Sequence, residues 1–277
     1  MSDGTCGELL RKACSMLKDG KPAAEVHTVL ERIKDSVMLG TAALALDEYY
    51  WFYSTYADNC IDLGLYKDAE YYLRTAIILS EKKQNYDELA YSVSGLMAIM
   101  IMDKRFSEAI TIGEKYKNTC ANSDWVDEIE TGLCLAYPAR GWNRKAQRLA
   151  NIVIEHKKKN PEVYYHPVTC SLYIRSYNFG KCRNRLSVLS EWYDLECHVN
   201  GCNSVTAMEV LAEKARVVAN EKENGVSEAL ILLDRVIPVL EKFGCKYSIV
   251  DFPSLITFRE QLKISVIEGS VHERKKR

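Results

Sequence analysis

Residues 57–76 read ADNCIDLGLYKDAEYYLRTA, and the spacing of their small residues decides the fold. Ala57, Cys60, Gly64, Tyr66, Ala69, Leu73 and Ala76 recur at helical intervals on both sides of Gly64, with polar residues between them. Such a pattern predicts two antiparallel helices that cross closely. Ala57 and Ala69 leave room for the facing backbone, and Gly64 takes the left-handed turn that ends the first helix. Tyr66 and Leu73 are expected to fill the wedge between this pair and the next. One such pair cannot bury its apolar face alone, so neighbouring pairs are expected.

The flanking sequence supplies them. Upstream, Leu9, Leu10, Ala13, Cys14 and Leu17 mark a helix over 5–18. Asp19-Gly20-Lys21-Pro22 stops it, and Val26, Val29, Leu30 and Ile33 mark a second helix to about Ser36. Gly40 is expected to open a long aromatic helix through Leu63, carrying Tyr49, Tyr50, Trp51, Phe52, Tyr53 and Tyr56. Downstream, helices are predicted over 86–102 and 106–120, then 124–139 and 143–158, then 163–178 and 180–194. In these, Ala109 and Gly113, then Cys134, Tyr137, Gly141, Ala146, Ala150 and Val153, then Cys170, Tyr173, Cys182, Leu186 and Leu189 stand at matching places. A pair over 205–221 and 226–243 carries Ala229, Leu233 and Val236, and a last helix over 254–268 would cap the stack. Leu195–Asn203 (LECHVNGCN) is the one longer loop in this reading.

The order small, apolar or aromatic, Gly, Tyr, Ala, large apolar, Ala resembles the tetratricopeptide repeat. The steps between packing positions are 40 from Ala69 to Ala109, 37 to Ala146, 36 to Cys182 and 47 to Ala229. They exceed the about 34 residues of a strict array. The chain is therefore similar to the extended-helix members of that superfamily, such as the repeats of kinesin light chain, of the spindle-orientation adaptors or of the cohesin-loader partner subunit. The resemblance covers roughly 40–243 and is clearest over 40–194. It implies an all-α, right-handed solenoid of about six antiparallel helical hairpins in a single domain over 1–269, followed by a basic disordered tail at 270–277. It further implies that the first helix of each pair lines a concave groove. Carried over by position, the groove would present Trp51, Ser54, Asp58, Tyr91, Ser94, Ala98, Leu135, Tyr164, Ser171 and Arg175, with Trp51, Asp58, Tyr91, Tyr164 and Arg175 as partner-binding candidates.

Composition narrows the function. With 47% hydrophobic and 27% charged residues the 277-residue chain is globular, and a net charge of −1 gives no global field toward nucleic acid or membrane. The longest apolar run, GLMAIMIM at 95–102, is too short to span a bilayer and reads as a buried mid-stack helix, the alternative being a surface that presents methionines to a partner. The first twenty residues lack the apolar core of a leader, so an intracellular protein, cytoplasmic or nuclear, is expected, with its ten cysteines mostly reduced core residues.

No phosphate loop, nucleophile elbow, His-Glu-x-x-His or dinucleotide fingerprint is present, so neither an enzyme nor a cofactor is expected. Cys197, His198 and Cys202 lack a fourth ligand and finger spacing, and no metal is expected. Charge is unevenly placed. Residues 140–185 hold eleven Lys and Arg against Glu155 and Glu162. Arg140, Arg144, Lys145, Arg148, Lys181, Arg183 and Arg185 form the candidate basic patch. Arg forks suit carboxylate or phosphate, so the expected partner is an acidic extended or helical protein segment. The alternative is nucleic acid held through phosphate contacts, with Trp142, Tyr164, Tyr165, Tyr173 and Tyr177 nearby. A non-enzymatic adaptor or complex subunit is the reading that results.

Overall fold

A computed structural model of the chain describes residues 5–159, 184–222, 224–243 and 252–275. These contain twelve α-helices and no strand. They are α1 (Cys6–Lys18), α2 (Ala23–Met38), α3 (Leu46–Asp62), α4 (Tyr66–Lys83), α5 (Tyr86–Met102), α6 (Phe106–Lys117), α7 (Val126–Ala136), α8 (Asn143–Lys159), α9 (Arg185–Asn200), α10 (Val205–Glu221), α11 (Gly225–Phe243) and α12 (Phe252–Lys275). A short 3₁₀ turn, Tyr137–Arg140, follows α7. The chain divides into two compact units, Met1–Leu149 and Ala150–Arg277.

In the first unit, neighbouring helices pack in sequence order as hairpins: α1 on α2, α3 on α4, α5 on α6, with α5 and α6 both against α7. Helix starts repeat at 46, 86 and 126, and at 66 and 106, which is a 40-residue period. The packing positions read from sequence are core. Ala57, Cys60, Ala69, Leu73 and Ala76 are buried, as are Ala109, Cys134, Tyr137 and Ala146; Ala150 and Val153, which fall in the second unit, are buried too. Close approach is tightest around Met97. A Cβ on Gly113 would lie 2.7 Å from the Met97 Cε and 2.6 Å from Leu133 Cδ2, and a Cβ on Gly132 would lie 2.7 Å from the same Met97 Cε. Two glycines on α6 and α7 thus make the space that this methionine of α5 fills. The apolar run of α5 is core, with Leu96, Met97, Ile99 and Met100 buried.

Two aspects of the first unit differ from the sequence reading. Gly40 closes α2 instead of opening α3. It has φ +67°, its N–H bonds Val37 O, and the Thr41 N–H bonds Ser36 O, the hydrogen-bond pair of a Schellman stop. Gly64 (φ +73°) ends α3 the same way, through Gly64 N–H to Ile61 O and Leu65 N–H to Cys60 O. Helix α3 therefore starts at Leu46, where the Glu48 carboxylate accepts the Ala45 N–H at 3.1 Å. Tyr66 is not the wedge. It is exposed at the start of α4, whereas Leu73, the other expected wedge residue, is buried against Gly95 of α5; nearly two turns past Tyr66, Tyr72 fills the space inside the α3–α4 pair, its ring stacked on Tyr56 at 4.2 Å with Phe52 edge-on to both.

In the second unit, α10 packs between α9 and α11, and α11 packs on α12. Ala207, Leu211, Ala215, Ala229, Leu233, Val236 and Leu255 form one buried cluster. The stretch expected to be a long loop, 195–203, is mostly helix: α9 runs to Asn200 and stops at Gly201 (φ +85°). Its continuation is stabilised by Glu196, buried yet bonded by Trp192 Nε1 at 3.1 Å one turn before and Asn200 Nδ2 at 2.9 Å one turn after. Helix α12 likewise runs past 268 to Lys275, into the segment expected to be a disordered tail. The expected helix over 163–178 lies outside the described residues. No helix among the described residues is long and apolar enough to cross a membrane.

Candidate functional site

Within the first unit, the first helices α3, α5 and α7 carry a chain of side chains that link one repeat to the next. On α3, Trp51, Thr55, Asp58 and Asp62 fall at intervals of four, three and four residues, one stripe of a helix. Trp51 is 44% exposed. Thr55 Oγ1 lies 3.2 Å from Cys14 Sγ of α1. Arg11, Cys14, Trp51 and Thr55 line an open cavity of about 330 Å³. Arg11 is paired with Glu48 of α3, 3.0 Å away.

Half-buried Asp58 accepts the Tyr91 hydroxyl of α5 at 2.7 Å. Tyr91 in turn meets Trp125, the residue that precedes α7, edge-to-face with 5.0 Å between ring centres. The run Asp58–Tyr91–Trp125 therefore crosses three consecutive first helices, from near the end of α3 to the start of α7. Removal from water pushes the Asp58 carboxyl from 3.8 up to about 6; the Tyr91 hydrogen bond opposes this and the Asp62 carboxylate adds to it. Burial also raises the Cys14 thiol, so it is no activated nucleophile.

Other cross-repeat bonds hold these helices in place. Tyr50 donates to Glu88 O at 3.1 Å, Ser123 Oγ donates to Asp87 at 2.7 Å, and Lys83 bridges Asp47 and Glu88 at 2.5 and 2.6 Å. On the second helices, Arg105 reaches Glu70 at 2.5 Å, which together with Arg74 holds that carboxyl below its usual range. Lys145 reaches Glu114 at 2.5 Å, and Tyr137 donates to the same oxygen at 2.5 Å.

The sequence-derived candidates sort accordingly. Trp51, Asp58 and Tyr91 share the first-helix face. Ser54 is buried with its hydroxyl on Trp51 O, Ser94 bonds Tyr91 O, Ala98 is exposed and Leu135 is half-buried. Of the basic residues, Arg140, Arg144 and Arg148 are exposed. Lys145 is engaged with Glu114 and sits over Tyr137 and Trp142, and Arg185 is engaged with buried Glu213 at 2.6 Å. Tyr164, Ser171, Arg175, Lys181 and Arg183 lie outside the described residues. Cys197 and Cys202 face one another at the end of α9, with Tyr193 and Arg235 beside them. Among the described residues no three His, Cys, Asp or Glu side chains are grouped to hold a metal.

Sequence reading missed Trp125, Arg11, Cys14 and Thr55. The 40-residue register pairs Trp51 with Tyr91 and Thr131, and so passes over Trp125. Trp125 lies 34 residues after Tyr91, and Tyr91 lies 33 after Asp58, because the contact steps back by nearly two helical turns at each repeat.

No family model matches the chain, and no curated protein matches it. Among solved structures, one from Podospora anserina, assigned as a kinesin light chain with nearly identical tetratricopeptide-like repeats, aligns with 77% of this chain and 97% of its own. Its TM-score is 0.51 at 16% identity. A second, BtubC (BKLC) from P. vanneervenii, aligns with 95% of this chain and 93% of its own at TM-score 0.39 and 14% identity, too loose a likeness to carry weight. The chain has an all-α, tetratricopeptide-like helical-repeat fold.

Proposed function

We propose that this protein is a non-enzymatic interaction scaffold, an adaptor or complex subunit, that holds an extended or helical partner segment against the first-helix face of residues 1–149. The observation that carries the reading is the run Asp58–Tyr91–Trp125 beside exposed Trp51 and the cavity next to it. Successive repeats contribute adjacent side chains to one face, which is how a helical repeat offers a long binding surface. Aromatic anchors beside a cavity are the residues that dominate such interfaces. The right-handed course over a single domain belongs to this same proposal. In the solved relative with a TM-score of 0.51, comparable repeats belong to a protein assigned as a kinesin light chain. That a partner protein is the natural ligand here is supported by the shared fold.

A second surface has its own support. Arg144 and Arg148, one turn apart on α8, are exposed with Arg140 and Trp142 close in sequence. An acidic protein segment or a nucleic acid would meet that row of guanidinium groups. The test for both surfaces is affinity capture from native lysate with the full chain and with Trp51→Ala/Tyr91→Ala and Arg144→Glu/Arg148→Glu variants. A stoichiometric protein lost with the first variant supports the first-helix face. Recovery of nuclease-sensitive material lost with the second supports nucleic acid on α8. Identical recovery by all three proteins refutes both assignments.

A further inference from the structure

From α3 to α8 the helices' cations are confined to the second helix of each pair. Helices α3, α5 and α7 together hold nine carboxylates (Asp47, Glu48, Asp58, Asp62, Asp87, Glu88, Asp127, Glu128 and Glu130) and not one Lys or Arg. Their partners α4, α6 and α8 carry both signs: Lys67, Arg74, Lys82, Lys83, Lys115, Lys117 and the run from Arg144, alongside Asp68, Glu70, Glu81, Glu108, Glu114 and Glu155. Some of the carboxylates are matched from outside the face, Asp47 and Glu88 by Lys83 and Glu48 by Arg11. Asp58 is not. Among the described residues its one hydrogen-bond partner is the neutral Tyr91 hydroxyl, and the next charge along its stripe is Asp62, of the same sign. A half-buried carboxylate with no cation beside it is unfavourable in the free protein and is relieved when a cation arrives.

We propose that the first-helix face of residues 1–149 takes a cationic peptide segment of a partner protein, with one Lys or Arg side chain of that segment set against the Asp58 carboxylate. The proposal rests on the reading of this face as a docking surface and adds the chemistry of its occupant. Charge complementarity decides the sign. Helices α3, α5 and α7 bring no cation of their own to this face, and Asp58 and Asp62 lie on one stripe of α3 with Trp51, so a segment that meets Asp58 is favoured when it carries positive charge there and repelled when it is acidic. The aromatic residues suit the same ligand: Trp51, exposed at the cavity, offers a ring face to a guanidinium or to the methylene stem of a lysine. The acidic segment considered for the α8 arginines is a different ligand on a different surface.

The test uses the full-length chain and a displayed library of randomised twelve-residue peptides, selected in parallel on the wild type and on Asp58→Asn. The expected result is that wild type enriches peptides with Lys or Arg at one fixed position. The enriched peptide then binds Asp58→Asn at least tenfold more weakly at low salt, and Trp51→Ala more weakly still at high salt, where aromatic contact dominates. Circular dichroism of Asp58→Asn checks that the variant is folded, and Tyr91→Phe, which keeps the carboxylate, should retain the preference for a cation. Enrichment of acidic or uncharged peptides, or equal affinity for wild type and Asp58→Asn, overturns the cationic proposal and leaves the scaffold reading in place. Absence of any enriched peptide overturns both.

Discussion

Exchanging Asp58 for Asn should make this protein more stable at neutral pH. In the folded chain burial lifts the Asp58 carboxyl from 3.8 to about 6. A group whose folded value is raised binds its proton more tightly in the native state. Below pH 3.8 both states are protonated and nothing is lost. Between 3.8 and 6 the unfolded state has released its proton while the native state still holds it, and stability declines as pH rises. Above 6 the whole cost is present. A rise of that size corresponds to about 3 kcal/mol at most, and the partly solvated carboxylate brings the expected figure to about 1–2 kcal/mol. Asn keeps the carbonyl oxygen that accepts the Tyr91 hydroxyl and carries no charge at any pH. Urea unfolding of wild type and Asp58→Asn, followed by tryptophan fluorescence from pH 3.5 to 8, measures the difference. The two should coincide near pH 3.5 and diverge by about 1–2 kcal/mol above pH 6.5, the variant being the more stable. A difference that does not change with pH, or a variant less stable at pH 7.5, refutes the argument that Asp58 is an uncompensated charge. A stabilising loss of a polar group is what a residue held for binding shows.

The remaining expectations concern packing and charge. Ala69→Leu should overpack the α3–α4 pair, where Ala69 has no exposed surface, and lower stability by about 1–3 kcal/mol; unchanged melting would remove the proposed register. Gly113→Ala places a methyl 2.6–2.8 Å from Leu133 and Met97 and should cost about 1–2 kcal/mol after the helix-propensity gain, with Met97→Ala in the same chain recovering part of it. A double-mutant cycle on Glu70 and Arg105 should give a coupling of about 1 kcal/mol at pH 7 that is complete above the ordinary carboxyl value of 4.5 and is lost at lower pH, as folded Glu70, held below that value by Arg105, takes up its proton. A coupling independent of pH would mean the pair is not ionic. Arg144→Glu/Arg148→Glu should leave thermal stability within about 0.5 kcal/mol of wild type, since both side chains are exposed. A larger loss would show that these arginines serve the fold and not a partner.

How far the sequence could be read depends on what each residue answers to. Helix existence and core positions follow from local periodicity, and Ala57, Ala69, Ala109, Ala146 and Ala229 are all buried where the pattern placed them. Helix ends were harder. Gly40 and Gly201 both look like punctuation, but whether a glycine closes the preceding helix or opens the next depends on which carbonyls its neighbours bond. Glu196 inside α9 shows the same limit. A charged residue in a Cys- and His-containing stretch reads as loop, until Trp192 and Asn200 are seen to satisfy it from one turn away on either side. Of the two wedge residues expected from spacing Leu73 is buried and Tyr66 is exposed, because the rotation of α4 that buries Leu73 and stacks Tyr72 on Tyr56 is set by its packing with α3.

The candidate site was half legible. Trp51, Asp58 and Tyr91 follow from the repeat register, because equivalent positions on first helices share a face. Trp125 and the Cys14–Thr55 contact do not, because the links between repeats run obliquely and join residues that are not register equivalents.

By itself the amino-acid order determined that this chain forms antiparallel helical pairs, since alanine and glycine at helical spacing permit close crossing wherever the helices meet. It also contains the charge asymmetry between first and second helices, which needs only helix boundaries to be seen. The tertiary structure alone decided which charges are satisfied. Lys145 and Arg185 are spent on Glu114 and Glu213, while Asp58 is left with a tyrosine hydroxyl. Ion pairing depends on distances of a few ångströms between residues some thirty positions apart, and no local pattern in a sequence encodes such distances.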